Sequence, residues 1–358
     1  MKMSKQNNLD VLSKGDSIFP GEDWEYYDSP EEAGYASEVF QEINDRLEEM
    51  PTSSFMVVVK GKIAYSYGDI SEVSYCASSR KSIMSLLYGN YVKAGVINLD
   101  STLEELGIDD VSGLLPIEKQ AKVRDILISS SGVFHPQGSP GGDTAKVPER
   151  GSKKPGEYYM YSNWDFNVAG TIFEQQTNQT VFEALNKDLA IPLEFQDYDQ
   201  SRQRKLGYDS NAVSKHLAYH MFLSGRDMAR IGWLVVNKGK WHDKQIVPKE
   251  WIEESVKISV HSDDMNDRSG NRVHYGYYWW LPEEKSPEWK GAFLAAGNYG
   301  QYILGIPALD MVIVHRRAVS DEFAINRNLG IDKSNPSKVY METVIEIADS
   351  IIKGKRNK

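Results

Sequence analysis

Ser78 and Lys81 stand three residues apart in "VSYCASSRKSIMSLLYG" (73–89), where a β-rich run gives way to a helical one. A serine hydroxyl is a poor nucleophile at neutral pH and needs a nearby base. Residues i and i+3 share a helix face, so Lys81 can reach back toward the Ser78 hydroxyl. The unpaired N–H groups of a helix start favour a developing oxyanion, and together with burial they help a lysine shed its proton. The bland alternative is that Ser78 only caps the helix. A second Ser-x-x-Lys, Ser350 and Lys353, lies at the end of the last helical run with no strand before it, and reads as surface.

Further residues could complete the chemistry. Tyr161 and Asn163, in "GEYYMYSNWDFNVAG", follow a Gly/Pro-rich loop. A phenol can relay a proton between nucleophile and leaving group, and an amide can hold the lysine or a substrate carbonyl. The other Tyr-x-Asn, Tyr88 and Asn90, is on the helix of Ser78 itself and cannot fold back onto it. Gly297, in "AAGNYGQYI", falls late in a strand, where the following N–H (Asn298) can pair with that of Ser78 as an oxyanion hole.

Competing sites are weaker. Cys76, the single cysteine, ends an apolar strand and reads as a buried filler; alone it excludes internal disulfides and Cys-x-x-Cys sites. His216 and His220, in "HLAYH", would sit one turn apart on a helix, but Leu217 stands where a metalloprotease needs Glu and no third ligand is evident. No metal and no cofactor is therefore expected. Ser224 with Asp227 reads as a helix cap, and His135 as structural or cleft-lining. No Gly-x-Ser-x-Gly occurs, which excludes the α/β-hydrolase elbow.

The elements that must hold these residues come from both ends of the chain. "SEVFQEINDRLEEM" (37–50) spaces Val39, Phe40, Ile43 and Leu47 as a helix, and "SFMVVVKGKIAYSYGD" reads as a hairpin turning at Lys60-Gly61-Lys62. Strand signals return in "VHYGYYWWL", "GAFLAAGN", "GQYILGI" and "DMVIVHRRA" before a last helix, "SKVYMETVIEIADSIIK". In the first of these runs Tyr275, Tyr277, Tyr278, Trp279 and Trp280 are expected to alternate along one strand, one face core and the other lining a pocket. The expected fold class is α/β (α+β). An antiparallel sheet is built from both termini (1–92 and 272–358), with a largely helical inserted domain (93–271) and the site in the cleft between them.

The composition is that of a globular protein. The 41 basic residues are outnumbered by 51 acidic ones, a net charge of −10, which disfavours nucleic acid and anionic membranes as partners. No apolar run approaches the roughly 20 residues that span a bilayer. "MKMSKQNNLDVLSKGDS" lacks the apolar core of a signal peptide, so the expectation is cytoplasmic, or exported with the signal removed before this numbering. The sequence leaves a homodimer open.

Ser78-x-x-Lys81, then Tyr161-x-Asn163, then a glycine-bearing terminal strand resembles the serine β-lactamase/penicillin-binding-protein superfamily. The branch it is most similar to holds class C β-lactamases, family VIII carboxylesterases and 6-aminohexanoate-dimer hydrolases. "VRDILISSSGV", "LSGRDMARIGWLVVNKGKW", "YGYYWWLP" and "GNYGQYILGIPALDMVIVHRR" extend the likeness over most of residues 50–320. The resemblance implies that Ser78 is acylated, that Lys81 is its base or proton carrier, and that Tyr161 is the second acid/base. Asn163 would then be a hydrogen-bonding support, and the N–H groups of Ser78 and Asn298 the oxyanion hole. Trp164, beside the Tyr-x-Asn, would pack on it or on the acyl group, or else in the core.

One departure matters. Penicillin-recognising members carry Lys or His, then Thr or Ser, then Gly, where this chain has Ala295-Ala296-Gly297. Arg268-Ser269-Gly270 imitates that motif in a polar loop and is set aside, while Arg316 or Arg317 could compensate from the next strand. The expectation is a carboxylesterase or amidase for small neutral acyl groups. The alternatives are a β-lactamase or D-Ala-D-Ala peptidase, and, of another class, a non-catalytic ligand-binding relative.

Overall fold

The computed structural model describes residues 18–139, 142, 147–206, 213–265, 273–319 and 338–356. Along the chain run α1 (Ser37–Glu48), β1 (Ser54–Val59), β2 (Lys62–Gly68), β3 (Ser74–Tyr75), α2 (Arg80–Lys93), α3 (Val123–Leu127), α4 (Asn163–Thr177) and α5 (Val181–Ala184). Then come β4 (Arg204–Leu206), β5 (Ala218–His220), β6 (Phe222–Leu223), α6 (Gly225–Val236), β7 (Lys240–Trp241), β8 (Lys244–Gln245) and α7 (Lys249–Ser255). The chain closes with β9 (Val273–Tyr275), β10 (Trp280–Pro282), β11 (Phe293–Gly297), β12 (Gln301–Ile306), β13 (Met311–Arg316) and α8 (Met341–Lys353).

Seven strands form one antiparallel sheet in the order β2-β1-β13-β12-β11-β10-β9, so both ends of the chain build it, as the sequence predicts. Lys60 and Gly61 both take positive φ, 50° and 88°, which supplies the tight turn between β1 and β2. Every residue of β1 is buried, as its unbroken apolar run requires of a central strand covered on both faces. Phe40 of α1 stacks on Tyr65 of β2, with ring centroids 5.0 Å apart. On α6, a Cβ at Gly232 would lie 2.5 Å from Val312 and 2.8 Å from Ile303, so glycine is what lets that helix sit flush on β12 and β13. α6 falls inside the stretch expected to be the helical insertion, yet it packs on the sheet. Its amphipathic pattern buries a face without saying against what.

Two local expectations are corrected. The aromatic run 275–280 is not one alternating strand. It folds back at Gly276–Tyr278 into a hairpin pairing Trp280 with Tyr275, and Tyr278 takes a φ of +62°. All five aromatic side chains are buried, so neither face is open. "HLAYH" is extended rather than helical: His220 ends β5, and His216 lies before it, bonded to Thr171 and to the Asp109 carbonyl. The one-turn spacing that a zinc pair would use does not exist here. Among the described residues, no helix is long and apolar enough to cross a membrane.

Candidate active site

β3 pairs with β6, and the Cys76 N–H donates to the Met221 carbonyl, which fixes the approach to Ser78. The chain then bends sharply. Ala77 takes a φ of +48°, a left-handed value uncommon for a residue with a Cβ, and Ala77–Ser79 form a single 3₁₀ turn leading into α2. Between Ser74 and Gly89 every residue is buried except Ser78, which is half-buried. Ser78 does not cap the helix. Ser79 occupies that position, and its hydroxyl donates to the Cys76 carbonyl at 2.7 Å. The turn thus presents one side chain outward, the hydroxyl of Ser78.

Lys81 follows on the first turn of α2 and is 2% exposed. Its Nζ donates to Asn163 Oδ1 at 2.8 Å and lies 3.7 Å from the centre of the Tyr161 ring. Asn163 opens α4, whose N-cap Ser162 accepts from the Trp164 N–H, and the Asn163 N–H donates to Gln137 Oε1 at 3.0 Å. Tyr161 packs against Trp280 and Tyr275, at 5.5 and 6.3 Å between ring centroids, so the β9–β10 hairpin backs the tyrosine. The structure therefore brings Tyr161 and Asn163 onto Lys81, some 80 residues away in sequence and three residues after Ser78.

The end of β11 closes the other side. A Cβ at Gly297 would lie 2.5 Å from the Cys76 carbonyl and 3.1 Å from the Ser79 nitrogen, so only a glycine lets this strand touch the Ala77–Ser79 turn. Asn298 follows it in the turn, exposed, with its own side chain accepting from the Tyr299 N–H. Ala295 is buried, on the same strand face as Gly297, and Ala296 is half-buried on the other.

Other expected residues sit elsewhere. Trp164 is fully buried, its indole N–H donating to Asp110 Oδ2 at 2.7 Å, with the rings of His135 and His216 around it; it is a core residue and does not line the cleft. Arg316 is buried beneath β3. It donates to the Ser74 carbonyl and hydroxyl at 2.8 and 2.5 Å and contacts the sulfurs of Cys76 and Met228. Arg317 lies over Tyr299, 5.5 Å from its ring centre. Cys76 is a buried filler whose thiol is pushed up by burial. Ser224 caps α6, accepting from the Asp227 N–H, and His135 bonds the carbonyls of Pro136 and Val111. Ser350 and Lys353 lie on α8. Arg268-Ser269-Gly270 lies outside the described residues.

One buried acid escaped the sequence reading. Asp165, one turn into α4, is fully buried, and Ser131 Oγ donates to it at 2.6 Å. Burial pushes its carboxyl well above the usual range, while Ser131 and the nearby Lys81 charge pull it back. Tyr278 is also buried, with its phenol pushed far up by burial and then by Asp165. An acid in the first turn of a helix ordinarily signals only dipole compensation, so nothing in the letters marked Asp165.

A family model described as Beta-lactamase matches residues 39–315. No curated protein matches the chain by sequence. Among solved structures, one named a 6-aminohexanoate-dimer hydrolase, from Bacillus anthracis, is 21% identical with a TM-score of 0.58, covering 80% of each chain. A family VIII carboxylesterase is 12% identical with a TM-score of 0.62, over 92% of this chain and 99% of its own. A class C β-lactamase mutant is 13% identical with a TM-score of 0.57, over 90% and 97%. With the family model spanning most of its length, and the sheet and helices of that fold around Ser78, the chain belongs to the beta-lactamase family.

Proposed function

We propose that the protein is a serine hydrolase that acts through an acyl-enzyme on small ester or amide substrates. The observation that carries this is the surroundings of Lys81. A buried amine bonded to Asn163 and facing Tyr161 stands one turn from the only side chain its segment exposes, Ser78. Family membership supports the same kind of activity. The Ser78 hydroxyl adds to the carbonyl carbon while its proton passes to Lys81. The negative oxygen that results is met by the N–H groups of Ser78 and Asn298. Tyr161 delivers a proton to the departing oxygen or nitrogen as the tetrahedral intermediate collapses, and the proton held on Lys81 passes to Tyr161, so that both groups regain their starting states. Water then adds to the acyl-enzyme carbonyl as its proton passes to Lys81, and that proton returns to the Ser78 oxygen as its bond to the acyl carbon breaks and the acid leaves. Lys81→Ala and Tyr161→Phe should each cost on the order of 10²–10⁴ in rate, as positioned acid–base groups do.

The acyl group is read as neutral. Ala295 and Ala296 offer neither charge nor a side-chain hydrogen bond, and a carboxylate desolvated without a partner is costly. Arg316 cannot supply one while it is bound beneath Ser74. Arg317, beside the Tyr299 turn, is the arginine nearer this rim. Treatment with a fluorophosphonate followed by mass spectrometry should put the adduct on Ser78 and none on Ser78→Ala. A non-catalytic relative would give no adduct, and an adduct elsewhere would refute the assignment. Rates on short p-nitrophenyl esters should far exceed those on nitrocefin or D-Ala-D-Ala peptides. Comparable nitrocefin turnover, lost in Arg317→Ala, would show instead that a carboxylate is held.

A further inference from the structure

The Ala77 carbonyl and the Ser78 N–H belong to one trans peptide, a rigid plane in which the two groups point in opposite directions. Whatever holds the carbonyl therefore aims the N–H. The holder is Arg80. Its guanidinium donates to the Ala77 carbonyl at 2.5 Å and to the Tyr75 hydroxyl at 3.2 Å. The guanidinium carbon lies 4.8 Å from the centre of the Phe166 ring and 5.9 Å from that of Tyr75. Arg80 is 3% exposed, both groups that it bonds are neutral, and its Nε has no hydrogen-bond partner. A cation buried on neutral partners is costly, and a neutral donor could bond the same carbonyl. The charge therefore calls for a reason, and the carbonyl that it grips is the one that precedes Ser78.

We propose that Arg80 is a positioning residue of the oxyanion hole: through the Ala77 carbonyl it orients the Ser78 N–H and strengthens it as a donor to the oxygen of the tetrahedral intermediate. The inference rests on the Ser-Lys-Tyr reading above, in which Arg80 takes no part in the proton transfers. Two effects act together. Ala77 has a φ of +48°, a conformation that a residue with a Cβ keeps only when its surroundings impose it. The bond from Arg80, itself anchored by two rings and a hydroxyl, opposes the rotation of the peptide plane that would relax Ala77. A charge-assisted bond at the carbonyl oxygen also draws electron density from the peptide nitrogen, because hydrogen bonds in series polarise one another, and more so in a dry site. Negative charge that builds on the substrate oxygen thus meets an N–H backed by a full positive charge. The neutral substrate carbonyl gains little from this, so the effect is specific to the transition state. Arg80 is also the neighbour of Lys81 in sequence, and the Phe166 ring centre lies 5.6 Å from Lys81 Nζ. A direct effect of one cation on the other is the competing account, and it predicts a different result.

The test compares wild type with Arg80→Met, Arg80→Gln and Arg80→Lys, from pH 5 to 9. The readouts are kcat/KM on a short p-nitrophenyl ester and the affinities of a trifluoromethyl ketone and of the matching methyl ketone. The adduct of the trifluoromethyl ketone on Ser78 carries the negative oxygen; the methyl ketone fills the same space without forming it. On the pH plateau, Arg80→Met should lower kcat/KM and weaken the trifluoromethyl ketone by a similar factor, on the order of tenfold, short of the 10²–10³ that losing a donor outright costs. The methyl ketone should bind within twofold of wild type. Arg80→Gln keeps a donor without the charge and should fall in the same way by less, and Arg80→Lys, which keeps a cation, should recover most of the loss. A packing role alone would lower the melting temperature and leave the ratio of the two ketone affinities unchanged. An action on Lys81 would move the ascending limb of the pH profile upward and leave the plateau in place. Either of those results, in whichever of the Met and Gln variants folds, overturns the proposal. If the wild type forms no ketone adduct on Ser78, the Ser-Lys-Tyr reading fails first; if it does and the ratio holds in the variants, Arg80 alone has been misassigned.

Discussion

Gly297→Ala isolates what β11 does for the nucleophile turn. The glycine has no positive φ, so alanine is allowed by its backbone and any defect comes from the added methyl alone. That methyl would lie 2.5 Å from the Cys76 carbonyl, 2.8 Å from Gln301 Cβ and 3.1 Å from the Ser79 nitrogen. The first two are backbone and a strand-bound Cβ, which cannot swing aside, and ordinary contact needs about 3.5 Å or more. The strand end must retreat from the turn by roughly 1 Å, carrying the Asn298 N–H with it. An oxyanion donor displaced that far is nearly lost, which costs about 10²–10³ in kcat, whereas overpacking of this kind costs about 1–3 kcal/mol of stability. The assay is kcat on a short p-nitrophenyl ester with active sites counted by the acylation burst, alongside urea unfolding. Gly21→Ala is the control: nothing lies within 4 Å of a Cβ there. If Gly297→Ala keeps kcat within twofold of wild type, β11 does not deliver an oxyanion donor and the reasoning fails.

Trp164→Ala should destabilise by about 3–5 kcal/mol, as large core truncations do, and leave the ratio of rates on acetyl and butyryl esters unchanged. A changed ratio at near-normal stability would put the indole back in the substrate pocket. Two buried groups should pull acid stability in opposite directions. His315 is pushed down to about 4 by burial, so its contribution is full above about 6.5 and is lost as pH falls through 4; Asp227 is pushed up to about 6 by burial, so the folded state gains as pH falls through 6. Each is worth about 3 kcal/mol between pH 7 and 4, so they nearly offset. Asp227→Asn should therefore lose about 3 kcal/mol more than wild type over that range by urea unfolding, and equal losses would refute the assignment.

What the letters revealed and what they hid follow from one physical difference. The hairpin at Lys60-Gly61, the strands that return after 272 and the amphipathic end helices are local patterns, each read from neighbours in sequence. So are the start of α2 after a β-rich run and the cap at Ser224. The meeting of Lys81 with Asn163 and Tyr161 is not local, and only the spacing and order of the residues pointed to it. The hairpin in 275–280 was hidden because an aromatic run satisfies a strand pattern whether or not it turns. Only the left-handed Tyr278, a conformation that its residue type does not advertise, breaks it.

Trp164 and Asp165 show the same limit at the site itself. Both belong to the first turn of α4, one beside Asn163 and the other two residues on, and sequence proximity to the motif left the tryptophan open between the site and the core. At about 100° per residue, Trp164 is rotated away from the face of Asn163 and into the core, where its indole N–H bonds Asp110. Asp165 is turned further still from that face and is buried with Ser131. Which partners a side chain on this first turn meets is decided by Asp110 and Ser131, which lie in segments far away along the chain, and no single window of the sequence contains them.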